Sequence, residues 1–85
     1  MGHRDMVYVY VLRSKSHPTQ TYVGFTRDLK ARIAVHNHGA SPHTRQFIPW
    51  SLEFYCAFPD EAKARAFERY LKSHSGKAFA KKRLL

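Results

Sequence analysis

The sequence predicts an α/β (α+β) fold: a small three-stranded antiparallel sheet flanked by helices, in the order β-β-α-β-α-α. Three observations predict it. Two tracts rich in β-branched and aromatic residues, Val7–Arg13 and Thr21–Thr26, are separated by a polar Ser/Pro stretch. Two later tracts, after Asp28 and after Asp60, carry apolar residues at helical spacing. Finally, 85 residues with 44% hydrophobic and 14% aromatic content suffice for one core and not for two, so residues 1–85 are expected to form a single domain.

The elements follow in order. "VYVYVLR" alternates valine and tyrosine over its first five residues and reads as a strand. "SKSHPTQ" breaks the pattern and "TYVGFT" resumes it, so the two strands should pair as an antiparallel hairpin. Thr26 or Asp28 can cap a helix with Leu29, Ile33 and Ala34 at helical spacing, and Gly39 supplies a stop. "GASPHTRQFIPW" is loop by composition. Ser51–Phe58 makes the third strand, ended by Pro59. From Asp60 to about Ser73 a helix opens with acids and closes with bases, with Ala62, Ala66, Phe67, Tyr70 and Leu71 as its apolar stripe. "HSG" is read as a break, and "KAFAKKRLL" as a short basic terminal helix.

Charge narrows the function. Fifteen Lys and Arg against six Asp and Glu give a net charge of +9, which on so small a surface creates a positive potential and points to nucleic acid as the partner. The bases are spread along the chain rather than along one helical face, which disfavours a membrane-surface helix. Cys56 is the single cysteine, so there is no internal disulfide, and no Cys/His set has zinc-site spacing. The apolar run within "MGHRDMVYVYVL" is too short for a leader or a membrane span, and a cytoplasmic protein is expected.

The carboxylates are Asp5, Asp28, Glu53, Asp60, Glu61 and Glu68. A two-metal nuclease needs several acids converging on ions about 3.5–4 Å apart, and the only adjacent pair here opens a helix. A one-metal site with a single protein carboxylate remains, and Glu68, mid-helix beside Phe67, is its best candidate. The competing reading is an i,i+4 pair with Lys72 on a solvated face. Tyr8 and Tyr10 share one face of their strand, and the ordinary reading of both is packing. Gly24 inside a strand marks a close approach of another backbone or a ligand. Arg32 and His36 share one helix face. His36, His38 and His43 lack metal-ligand spacing.

Taken in this order, Tyr8-Val9-Tyr10, eleven residues, Tyr22-Val23-Gly24, then Arg32, His36 and Glu68, the chain resembles the GIY-YIG nuclease family, and most closely its small stand-alone members, over nearly its whole length. The family includes the incision subunit of nucleotide-excision repair, intron homing endonucleases and some restriction enzymes. The resemblance implies a metal-dependent DNA endonuclease acting in repair or recombination, with Mg²⁺ or Mn²⁺ as cofactor. It places Tyr10 and Tyr22 beside the scissile phosphate, one of them acting with a water as general base. Arg32 would neutralise the phosphoryl oxygens, His36 would orient a tyrosine or water, and Glu68 would hold the metal. Gly24, Arg45, Lys72, Lys77, Lys81 and Lys82 are the expected DNA-binding positions, on single-stranded, duplex or branched DNA.

Three positions depart from the pattern. Tyr8 stands where the first motif has glycine, Phe25 follows Gly24 where some members place a lysine, and no asparagine follows Glu68. The alternatives are a non-catalytic nucleic-acid-binding module on the same fold, and an accessory domain that uses the Phe47–Trp50 loop as a protein contact. Glu68 speaks against a pure binder, because a carboxylate repels phosphate.

Overall fold

The computed structural model describes residues 5–85; residues 1–4, which open the segment read above for a leader, lie outside the described residues. The elements are β1 (Val7–Ser14), β2 (Thr21–Thr26), α1 (Leu29–Asn37), a single 3₁₀ turn (Arg45–Phe47), β3 (Trp50–Phe58), α2 (Glu61–Lys72) and α3 (His74–Arg83). This is the expected β-β-α-β-α-α order. The sheet is antiparallel throughout with strand order β2-β1-β3, so the first strand of the chain is the central one.

β1 is covered on both faces, and its alternation divides the molecule. Val7, Val9 and Val11 point to one side, where Ala64, Phe67 and Leu71 of α2 and Ala80 and Leu84 near the end of the chain pack on them. Tyr10 and Leu12 point to the other, under Leu29 and Ile33 of α1 with Phe47, Ile48 and Trp50. The three valines, Tyr10, Leu12 and Leu71 are each at most 1% exposed. A fully buried aliphatic side chain contributes roughly 1.5–3 kcal/mol, so β1 and its cover account for most of the core.

The helix ends follow side-chain chemistry. Asp28, one of the two caps the sequence offers, accepts from Ala31 N at 3.0 Å, and Gly39 ends α1 at a φ of +78°, where a residue with a Cβ would be strained. Asp60 caps α2 by accepting from Ala62 N at 2.8 Å. β1 and β3 each run one residue beyond expectation, to Ser14 and from Trp50.

Two expectations need correcting. "HSG" is not a break. Ser73 alone separates α2 from α3: its Oγ donates to Tyr70 O at 2.6 Å and accepts from Gly76 N at 3.1 Å, so one side chain closes one helix and opens the next. Gly76 belongs to the first turn of α3 because the Tyr70–Leu71 backbone lies where its side chain would be. The apolar stripe of α2 is also shifted. Ala62 and Ala66 are exposed and Tyr70 is 41% exposed, whereas Ala64, Phe67 and Leu71 face the core. The inward i, i+3, i+4, i+7 pattern therefore runs 64, 67, 68, 71 and carries Glu68 with it.

Candidate active site

β1 and β2 bring Tyr10 opposite Gly24 and Leu12 opposite Tyr22. Directly opposed residues of an antiparallel pair share a face, so both tyrosines lie on the α1 side of the sheet, with ring centroids 6.4 Å apart. The Tyr10 ring lies across the Gly24 backbone. A Cβ there would stand 2.5 Å from the Tyr10 hydroxyl and 2.7 Å from the ring carbon bearing it. The close approach anticipated at Gly24 is that of the Tyr10 phenol, and Gly24 itself is buried.

α1 supplies the next pair. His36 is fully buried and held at both ring nitrogens: Nε2 is 3.1 Å from the Tyr10 hydroxyl and Nδ1 is 2.9 Å from Thr44 Oγ1. Thr44 is fixed in turn by Trp50, whose Nε1 donates to its carbonyl at 2.9 Å, and Trp50 is locked to Asn37 through both backbone groups. The Tyr22 ring stands 4.8 Å from the imidazole, closer than it stands to Tyr10. One turn earlier on α1, Arg32 is exposed and acts electrostatically on both buried groups.

The protonation states follow from this environment. Burial pushes the Tyr10 phenol above its ordinary value, the Arg32 guanidinium pulls it back, and Tyr22 and Glu68 add to the upward push. Burial, and then Arg32, lower His36 below the ordinary histidine range. At neutral pH Tyr10 is therefore a protonated phenol and His36 a neutral imidazole, able to accept from Tyr10 at Nε2 while donating to Thr44 from Nδ1. Tyr22 is only part-buried, less enclosed than Tyr10.

Glu68 reaches the same place from α2, which packs on β1 and β2. Its side chain is only 15% exposed, and its Oε2 pairs with Lys72 Nζ at 2.6 Å. The i,i+4 pair exists, but the carboxylate does not lie on a solvated face: it belongs to the inward stripe, while the lysine is half-exposed. The same ammonium sits 5.9 Å from the centre of the Tyr22 ring. α2 is anchored at its first turn by Glu61, which takes Arg27 at 2.8 Å and Arg65 at 2.9 Å, with Arg65 stacked over Phe25 of β2. That clamp ties the end of β2 to the first turn of α2.

Tyr10, Tyr22, Arg32, His36, Glu68 and Lys72 thus meet at one edge of the sheet. Lys77, Lys81 and Lys82 do not join them: they are exposed on α3, in the layer over the valine face. Arg45 is exposed next to Thr44, and its stem covers Gly39. Sequence reasoning did not assign Thr44 a part in the site. It lies eight residues beyond His36 in a loop without periodicity, and only the fold shows that the imidazole needs it.

Among the described residues no three His, Cys, Asp or Glu side chains converge on one point. A hydrated Mg²⁺-type ion is held by one or two carboxylates and otherwise by water and substrate phosphate. Glu68, a largely buried carboxylate already facing a cation, fits such a one-carboxylate site. No helix among the described residues is long and apolar enough to cross a membrane.

Comparisons with known proteins identify the family. The family model of the GIY-YIG catalytic domain matches residues 6–83. A UPF0213 protein of Streptococcus pneumoniae serotype 4 is 33% identical over 73 residues, covering 85% of this chain and 70% of that protein. Another UPF0213 protein, from Clostridium perfringens, is 35% identical, covering 79% of this chain and 71% of its own length. The structure-specific endonuclease subunit SLX1 of Malassezia globosa is 43% identical over 73% of this chain, which corresponds to 15% of that larger protein. A match over nearly every residue, with the motif tyrosines, arginine, histidine and glutamate gathered at one edge of the sheet, makes this chain a member of the GIY-YIG nuclease family.

Proposed function

We propose that the protein is a divalent-metal-dependent endonuclease that hydrolyses DNA phosphodiesters at the Tyr10–Tyr22–Arg32–His36–Glu68 cluster. The observation that carries this reading is Glu68, a carboxylate only 15% exposed on α2, near enough to Tyr10 to push its phenol up and paired with Lys72, which stands over the Tyr22 ring. A module that only binds phosphate gains nothing from a negative charge there.

The two tyrosines take different roles. Tyr10 is 1% exposed and keeps its proton, so it is a positioning residue that holds the imidazole and borders the site. Tyr22 is only part-buried and is our choice of general base. A phenol is a weak base at neutral pH; Lys72 stands over this one, its Nζ 5.9 Å from the ring centre. In its phenolate form Tyr22 takes a proton from the attacking water as the new phosphorus–oxygen bond forms; the scissile bond breaks with its electron pair on the leaving oxygen, which takes a proton from solvent. Arg32 offsets charge on the non-bridging oxygens. Glu68 would hold Mg²⁺ or Mn²⁺, which supplies Lewis-acid neutralisation of the phosphate.

The SLX1 relative is a structure-specific endonuclease subunit, which favours branched DNA as substrate and a repair or recombination role here. The deciding assay offers single-stranded, duplex and branched DNA with Mg²⁺, Mn²⁺ or chelator, to the wild type and Glu68→Gln. Cleavage that needs metal and vanishes in the variant, with DNA affinity kept or raised, is expected. Equal cleavage by both proteins would sink the assignment.

A further inference from the structure

Phe25 stands where some family members place a lysine near the site, and in this chain its ring lies under Arg65, away from the tyrosines. A lysine nevertheless reaches the cluster from another element. Lys72, one turn after Glu68 on α2, contacts the Glu68 carboxylate at 2.6 Å and lies 5.9 Å from the centre of the Tyr22 ring.

We infer that Lys72 is a tethered counter-ion that occupies Glu68 in the free protein and is displaced by the metal. The inference rests on the one-carboxylate metal site proposed above. A carboxylate only 15% exposed is costly to leave unpaired, and the ammonium meets that need in the absence of metal. A divalent ion on the same oxygens repels an ammonium a few ångströms away, so both cannot hold Glu68 at once. The lysine stem is flexible and the side chain is half-exposed, so the ammonium is free to swing aside, and Tyr22 and the incoming phosphate are the groups within its reach. Apparent metal affinity is then lowered by competition inside the molecule, and the cation missing after Gly24 is supplied from α2 instead.

The test measures Mn²⁺ binding to the DNA-free protein by electron paramagnetic resonance of the free ion. The proteins compared are wild type, Lys72→Met, Glu68→Gln and Lys63→Met, the last removing an equal charge from an exposed position of α2. Lys72→Met should tighten Mn²⁺ roughly two- to fivefold, the range expected of such an ion pair. Lys63→Met should leave it unchanged, and Glu68→Gln should abolish it. Circular dichroism confirms that each variant is folded. If Glu68→Gln loses binding but Lys72→Met binds as the wild type does, or more weakly, the metal site stands and the counter-ion role is overturned. If Glu68→Gln binds as well as wild type, or no folded protein binds Mn²⁺, the site assignment falls and the inference with it. An equal gain in Lys63→Met would mean a general charge effect and would also overturn the role of Lys72.

Discussion

The Tyr10 hydroxyl lies over Gly24, its partner across the β1–β2 ladder, with only the space of a missing side chain between them. Gly24→Ala places a methyl 2.5 Å from that oxygen and 3.1 Å from the Tyr22 ring. The ring is walled in and has nowhere to go, so we expect a loss of about 1–3 kcal/mol, the usual penalty for overpacking. Urea denaturation measures it. Cleavage should fall further than the fraction unfolded, because the displaced Tyr10 lets go of His36.

The two tyrosines should respond differently to loss of the phenol. Tyr10→Phe leaves His36 Nε2 without its partner in a dry site and should cost about 1–3 kcal/mol. Tyr22→Phe should change stability by about 0.5 kcal/mol or less yet slow cleavage about 100-fold or more, the scale of a lost general base. Thermal melts beside single-turnover cleavage separate the two. Full activity in Tyr22→Phe would move the base elsewhere.

His36 sets an acid limit. Its folded-state pKa lies below the unfolded value of about 6.5, so the unfolded chain binds the proton more readily. The contribution of the neutral buried imidazole is fully present above the unfolded pKa and is lost as pH falls below it toward the folded one. Melting temperature should therefore drop between about pH 7 and pH 5, and His36→Gln, less stable at neutral pH, should show a shallower drop. Parallel slopes in the two proteins would count against the assignment.

DNA affinity should fall steeply with salt, by roughly 0.9 in log K per log salt for each phosphate neutralised on a duplex. Arg45 lies beside the Thr44 anchor, whereas Lys77, Lys81 and Lys82 lie on α3. Arg45→Ala should weaken binding near the cut site and reduce both slope and cleavage. Replacing the three α3 lysines together should flatten the slope further if the DNA wraps the valine-face layer. Titrations by fluorescence anisotropy at several salt concentrations give the slopes, and an unchanged slope in the triple variant would remove α3 from the interface.

Much of this was legible in the residues. β1, β2 and the start of α1 were fixed by valine/tyrosine alternation and by Asp28, signals that act over two to four residues. The stripe of α2 was not, because Ala62, Ala64 and Ala66 are interchangeable by hydrophobicity and only packing on β1 chooses Ala64. The same ambiguity allowed Glu68 to be read as lying on a solvated face. The α2–α3 joint was missed because Gly76 normally signals an end, and here it permits two backbones to touch. Thr44 entered the site through a loop contact the chain makes only when folded; the Glu68–Lys72 pair was anticipated from its spacing, and only its burial and its approach to Tyr22 came from the rotation of a helix that the alanines leave undefined.

The alternation of β1 has one more consequence. Its odd positions, Val7, Val9 and Val11, face α2 and α3, and Tyr10 on the even side faces α1 and its buried His36. The strand therefore behaves like a reading frame. Deleting or inserting one residue before Val9 would exchange the two sets, sending a phenol into the aliphatic layer and a valine to the face that holds His36 and Tyr22, although the composition hardly changes. Length changes between Gly39 and Trp50 should be tolerated only where they spare the Thr44–His36 bond, and one in the central strand should disrupt the fold.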